Sequence, residues 1–287
     1  MFNGWIINGI TFFQVKDMFQ KKLYYVTLSI KDLILFGGLT TEMIKICTVY
    51  FEGKQYSPDY VSNLYKSLKK HSTTPFQFIC LSDNPDVEAD LVLPYNHHSN
   101  IKKHWHKLKF FSPQFAYQNS GDDIIIMDID QQIVKNIDEI LNWPVKENEL
   151  LTYDSWWNDK TSQFADKVVI PINGGFYKFK SGSFKYIWDD FSLNPEYWQL
   201  HYYNKGDVHY KYYGEQNYVY WKLDEHKIDI KYLPAEWIVK YTNSHRENTQ
   251  LNKMYAKKFN TDYMILDEVN EKIKIIHYLG PRNEKNI

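Results

Sequence analysis

Asp128-Ile129-Asp130 stands at the end of the apolar run Ile124-Ile125-Ile126-Met127. On an extended backbone side chains alternate with a period of two, so both carboxylates would point to one side and Ile129 to the other, into a core. Two carboxylates on one side offer oxygen ligands to a single divalent cation such as Mg2+ or Mn2+. A cation held there can grip a diphosphate and offset the charge that grows on it as it departs. Acids also follow buried strands simply because a loop begins, so this chemistry needs partners elsewhere in the chain.

His277, in the run Ile273-Lys274-Ile275-Ile276-His277-Tyr278-Leu279-Gly280, is one such partner. A neutral imidazole can complete the ligand set, and a nitrogen ligand tilts the preference from Mg2+ toward Mn2+. The alternative is a structural strand histidine. Gly280 would let backbone approach a phosphate closely, and Arg282 could pair with a diphosphate. Asn173-Gly174-Gly175 is either a plain tight turn or a thin wall that directs Asn173 toward a sugar. Gly214-Glu215-Gln216 marks a helix start, where Glu215 is favourable on dipole grounds alone; Glu215 and Gln216 could also border a reacting sugar carbon. Lys107 could reach phosphates or order the loop that carries the acids, while neighbouring Trp105 is expected to pack. Tyr50 is open to two roles, a stacking platform for a base or a half-buried core aromatic. His97, His98, His104 and His106 have no Cys partner nearby and no zinc-framework spacing, so they are expected in a polar loop and on a helix surface. The chain has no Gly-x-Ser-x-Gly elbow, no P-loop and no Gly-x-Gly-x-x-Gly turn.

The elements that must position these residues begin at Ile44–Phe51, a strand in which Cys47, Val49 and Phe51 alternate. Ser57 is expected to cap a helix with Pro58 at its first position, followed by Val61, Leu64, Tyr65 and Leu68 at helical spacing. Phe76–Leu81 and Asp90–Leu93 read as strands, and Ile101 to Phe111 as a helix. Ile124–Met127 is apolar on both faces, as expected of a central strand covered on each side. Asn136-Ile137-Asp138-Glu139 reads as a cap with its reciprocal acid. Later come strands at Glu149–Tyr153, Val168–Ile170, Phe176–Phe179, Ile228–Leu233 and Ile273–Leu279, and helices at Phe184–Phe191 and Glu215–Leu223. The aromatic stretch Tyr197–Tyr213 is expected to supply loops on an acceptor side, and Arg246–Phe259 a polar surface segment. Strands alternating with helices point to an α/β fold. Trp5–Ile10 and Leu23–Ile30 are strand-like, but residues 1–42 are expected only as an extension of uncertain structure. The main domain would run over residues 43–287.

Composition narrows the classes. With 34 Lys and Arg against 35 Asp and Glu, the formal charge is -1. That gives no basic surface for nucleic acid. Cys47 and Cys80 lie in apolar runs and are expected as buried free thiols, which suits a reducing compartment. No run of about 20 apolar residues is present, and the start lacks the order of a secretory signal. A cytoplasmic protein is expected.

In order along the chain, these pieces resemble the GT-A glycosyltransferases, specifically the glycosyltransferase family 8-like, glycogenin-like group. Ile44–Tyr50 looks like its first, nucleotide-binding strand and Phe78–Asp83 like its second. Trp105–Phe111 is similar to the segment before the metal motif. Ile124–Asp130 with Ile133–Ile140 is the most specific match. Ile172–Tyr177, Gly214–Gln216 and His277–Gly280 follow in order, so the resemblance spans residues 43 to 283. Gly280-Pro281-Arg282-Asn283 departs from the Lys-Pro pair of many relatives, and residues 1–42 have no counterpart. The chain also resembles the glycosyltransferases of large DNA viruses and phages, in which case it would work in the host cytoplasm.

The resemblance implies a GT-A type, Rossmann-like mixed central sheet with helices on both faces. It implies a UDP-sugar donor, a glycan, protein or small-molecule hydroxyl acceptor, and retention of anomeric configuration. Mn2+, or alternatively Mg2+, would sit at Asp128, Asp130 and His277; Tyr50, Lys107, Asp128, Gly280 and Arg282 would face the donor; Gln216, Glu215 and Asn173 would line the reacting sugar. Two other classes stay open: a nucleotide-sugar-binding protein of the same fold without turnover, and a nucleotidyltransferase.

Overall fold

β4 (Ile44–Tyr50), β5 (Gln77–Ser82) and β7 (Asp123–Met127) are built from residues that are almost wholly buried. They form the parallel centre of a seven-stranded sheet. β6 (Leu91–Leu93) extends it in parallel beyond β5. On the other flank β10 (Phe176–Lys180) runs antiparallel to β7, and β9 (Glu149–Thr152) and β11 (Asp229–Tyr232) follow. The computed structural model describes residues 42–53, 56–95, 100–154, 170–204, 214–241 and 272–278, together with three N-terminal strands.

Alternation along each strand divides the core in two. Ile124 and Ile126 of β7, with Cys47, Val49, Ile79 and Leu81, join one apolar cluster. Helices α3 (Lys185–Leu193), α4 (Pro195–Asn204) and α5 (Glu215–Glu225) cover it through Ile187, Phe191, Tyr202, Tyr218 and Leu223. Ile125 and Met127, with Ile46, Phe78 and Cys80, join the other, covered by α1 (Asp59–Lys70) and α2 (Asp138–Leu141). The architecture is a mixed α/β sheet with helices on both faces. β4 has β5 on one side and β7 on the other, so the winding reverses between β4 and β7. Ligands of open α/β sheets bind at the carboxyl ends of strands at such a switch point.

A smaller sheet stands at that edge. β8 (Gln131–Ile133), immediately after the acid pair, runs antiparallel to β13 (Ile275–Tyr278), which is parallel to β12 (Ile238–Tyr241). The chain divides into two compact units, Met1–Thr41 and Glu42–Ile287. The first is a meander of β1 (Asn3–Ile7), β2 (Ile10–Lys16) and β3 (Leu23–Leu28), paired antiparallel. Among the described residues no helix is long and apolar enough to cross a membrane.

Several local expectations need correction. Ser57 does not cap α1: its hydroxyl donates to the Asp59 carboxylate, 3.2 Å away, while its carbonyl accepts from Tyr60 N–H. The segment before β7 is a helix, as expected, though of 3-10 type and starting at Lys103; it buries every residue from Trp105 to Phe111. Glu139 reaches Lys274 at 3.3 Å instead of closing a reciprocal cap. The aromatic stretch beginning at Tyr197 is helical as far as Asn204. Its remainder, Val168–Val169 and Arg246–Phe259 lie outside the described residues. Cys47 and Cys80 are buried free thiols, as expected.

Candidate active site

β7 stops at Met127 and the chain turns at once, with Gln131 N–H donating to Asp128 C=O at 3.3 Å. Asp128-Ile129-Asp130 is therefore a turn and not extended backbone, which corrects the geometry expected from strand alternation. Ile129 still enters the core, only 6% exposed. The acids meet through the small sheet. β13 sets His277 opposite Gln131, and Tyr278 N–H donates to Asp130 C=O at 2.8 Å. His277 Nε2 then lies 3.3 Å from Asp130 Oδ1 and 3.9 Å from Asp128 Oδ2. One ligand atom from each of the three residues falls within 4.8 Å of the others. Two carboxylates and an imidazole are a donor set suited to a divalent cation. The electrostatics agree: burial pushes the Asp128 carboxyl above its ordinary pKa, Lys107 pulls against it, and the Asp130 charge pushes it up again.

Lys107, from the 3-10 helix, orders this loop. Its ammonium donates to Asp128 Oδ1 at 2.5 Å, to Gly174 C=O at 3.0 Å and to Glu215 Oε1 at 3.2 Å. Burial opposes its charge, but Asp128 and Glu215 outweigh burial and hold it firmly protonated. Glu215, the first residue of α5, turns its other oxygen to His104 Nε2 at 3.1 Å. Burial raises the Glu215 carboxyl; His104 and Lys107 together overcome this and hold it below its usual range. Its two oxygens are thus engaged by Lys107 and His104, so it acts as a fixed charge.

The turn before β10 forms a thin wall. Asn173 Oδ1 accepts from Gly175 N–H and Gln216 Oε1 from Gly174 N–H, each at 2.8 Å. Gly175 C=O accepts from Asp128 N–H at 3.1 Å, tying the wall to the acid loop. A Cβ on Gly175 would stand 2.5 Å from Tyr153 Oη and 2.7 Å from His277 Cε1. Nothing larger than glycine fits without moving the imidazole.

The structure thus brings together seven of the residues singled out from sequence: Lys107, Asp128, Asp130, Asn173, Glu215, Gln216 and His277. Tyr50 stands in the core beneath, 2% exposed, its hydroxyl donating to Tyr56 C=O at 3.4 Å. Gly280 and Arg282 lie outside the described residues. Trp105 packs as expected, stacked on Phe191 at 5.4 Å. The histidines do not behave as a helix surface. His106 is buried against Tyr95 with ring centres 4.2 Å apart, and His104 belongs to the site; His97 and His98 lie outside the described residues. His104 also lines a cavity of about 470 Å³, with Lys102, Trp105, Glu196 and Gln199. Sequence reasoning missed Tyr153 and Gln131, which sit behind His277; the register that sets Gln131 opposite His277 is formed only in the fold, so no sequence signal pointed to either. It also missed Tyr56, whose hydroxyl bonds Asp130 and is held protonated by burial and by the two acids.

Solved structures resemble this arrangement at fold level. The galactosyltransferase LgtC, in an active-site mutant form, superposes with a TM-score of 0.52 at 14% identity, covering 85% of this chain and 91% of its own. The fold is GT-A. The glycosyltransferase GlyE of Streptococcus pneumoniae matches this GT-A fold at TM-score 0.51 and 14% identity, over 83% of this chain and 55% of its own. The bifunctional glycosyltransferase WbbM matches at 0.52 and 13%, over 86% and 47%. This chain spans only about half the length of those two. No family model and no curated protein matches the sequence.

Proposed function

We propose that the chain transfers a sugar from a nucleotide-sugar, most simply a UDP-sugar, to a hydroxyl acceptor with retention of anomeric configuration. What carries this assignment is the cluster of half-buried Asp128 with buried Asp130 and His277 at the switch point of a GT-A fold. The cluster would hold Mn2+ or, second, Mg2+, which when bound supplies charge neutralisation for the departing diphosphate. Lys107 holds Asp128 in place and adds a fixed positive charge beside the phosphates. The acceptor hydroxyl attacks the sugar carbon on the face that the diphosphate leaves. The new C–O bond forms as the sugar–phosphate bond breaks, and the hydroxyl proton passes to the leaving phosphate oxygen. Glu215, held ionised with Lys107 and His104 on its two oxygens, favours positive charge at the sugar carbon and is no proton acceptor. Gln216 and Asn173 brace the wall beside that carbon. We place the acceptor on the side of His104, where the cavity of about 470 Å³ opens.

The test is a screen of nucleotide-sugars with Mn2+, reading released nucleotide and, in parallel, nucleotide binding with and without the metal. Metal-dependent UDP binding and release of UDP from one donor is expected. Release of pyrophosphate instead, or nucleotide binding indifferent to the metal, would overturn the assignment.

A further inference from the structure

His277 has two ring nitrogens with different neighbours. Nε2 faces Asp130 and Asp128, whereas Nδ1 lies 2.6 Å from Tyr153 Oη. Gln131 Nε2 donates to the same phenol oxygen at 3.2 Å and to Gly175 C=O at 2.8 Å. Gln131, Tyr153 and His277 are all at most 5% exposed. The group is over-determined: strand register places Gln131 opposite His277, and Gly175 leaves no spare volume beside any of the three.

We propose that Tyr153 is a positioning residue that sets the tautomer of His277 for cation binding, with Gln131 holding the phenol in place. This rests on the assignment of Asp128, Asp130 and His277 as a divalent-cation site. A cation at Nε2 needs the nitrogen lone pair, so the ring proton must sit on Nδ1. There it is donated to Tyr153 Oη. Without a cation the same contact runs the other way: the phenol O–H donates to Nδ1, and the Nε2 proton faces Asp130. Loading the site then leaves the ring proton on Nδ1, pointed at Tyr153 Oη.

The variant Tyr153→Phe keeps the ring and removes the oxygen. Mn2+ affinity, measured by calorimetry on the full chain, is expected to fall roughly 10–100-fold, with a melting temperature close to that of the parent. A merely packing role would not move a second readout, the long-range proton–nitrogen spectrum of histidine-labelled protein. In the parent, saturating Mg2+ should convert His277 from the Nε2–H to the Nδ1–H form; in the variant the same conversion should need roughly 10–100-fold more Mg2+. Unchanged Mn2+ affinity in a folded Tyr153→Phe, or an Nε2–H ring in the Mg2+-loaded parent, overturns the inference. If the variant does not fold, the parent spectrum alone decides. A parent that binds neither cation sinks the site assignment itself, whereas a parent that binds and a variant that binds equally sink only the role of Tyr153.

Discussion

β7 carries a pair of acids at each end, and the two pairs live differently. At the amino end Asp122 is fully buried and accepts from Met43 N–H at 3.0 Å and Asn119 N–H at 2.8 Å, with Lys45 3.7 Å away. Asp123 lies 3.0 Å from Lys178 and 2.9 Å from Lys180. Two carboxylates there meet three lysines. At the carboxyl end three carboxylates, Asp128, Asp130 and Glu215, share Lys107 and two histidines, His104 and His277. Lys107 is the one lysine among these partners, and Asp128 and Glu215 already share it. The spacing of acids around an apolar strand therefore does not mark a cation site. The partners differ instead: lysines close one pair, whereas at the other Lys107 holds Asp128 and Glu215, and Asp130 meets His277 and Tyr56.

Breaking each pair should separate stability from chemistry. The largest effect is expected from Asp123→Asn. It removes the carboxylate facing Lys178, whose side chain is wholly buried and whose ammonium burial already pushes toward neutrality. Stripping one partner from a buried pair costs about 3–5 kcal/mol; because Asp123 itself is partly exposed, about 3 kcal/mol is expected, read as a fall in melting temperature, with Mn2+ affinity unchanged. Asp130→Asn should do the opposite. Stability should hold or rise, since a like charge beside Asp128 disappears, while sugar transfer falls more than about tenfold, at least about 1.4 kcal/mol at the barrier. Parent-like transfer by Asp130→Asn, still metal-dependent, would remove the distinction drawn between the two ends.

How much of this was legible before the structure follows from sequence distance. β4, β5 and β7 could be read because strands buried on both faces must be apolar throughout, and α1 because Val61, Leu64 and Leu68 recur at helical spacing and are all buried. Asp128, Asp130 and His277 were legible as residue types with a known preference for cations. What failed was local geometry decided by tertiary packing. The turn at Asp128 is shaped by what it packs against, and α4 hid behind aromatic residues that read as loop. The contacts of His277 with Tyr153, 124 positions earlier, and of His104 with Glu215 depend on register and on helix placement. No window of sequence contains either pair. His104 and Tyr153 therefore passed as surface and strand residues, though both touch the site.

Asp138 extends the comparison to a third solution, an acid satisfied without any cation. Its carboxylate accepts from Ser72 Oγ at 2.7 Å, Thr73 Oγ1 at 2.6 Å, and the N–H groups of Thr73 and Thr74 at 2.9 Å. Burial works against its charge, but these donors, led by Thr73 and Ser72, together outweigh it and hold the carboxyl well below the usual carboxylate range. A depressed folded-state pKa stabilises the protein above the unfolded pKa, about 4 for an aspartate, and the benefit is lost as pH falls through the folded value. Asp138→Asn should thus cost about 1–2 kcal/mol at pH 7, discounted from the number of bonds because the group is partly exposed. The gap between parent and variant in denaturant melts should close as pH drops below about 4. The acids at the carboxyl end of β7 are set against one another, so a gap that closes only there, with none at Asp138, would mean that hydroxyl and backbone donors do not stand in for the lysines.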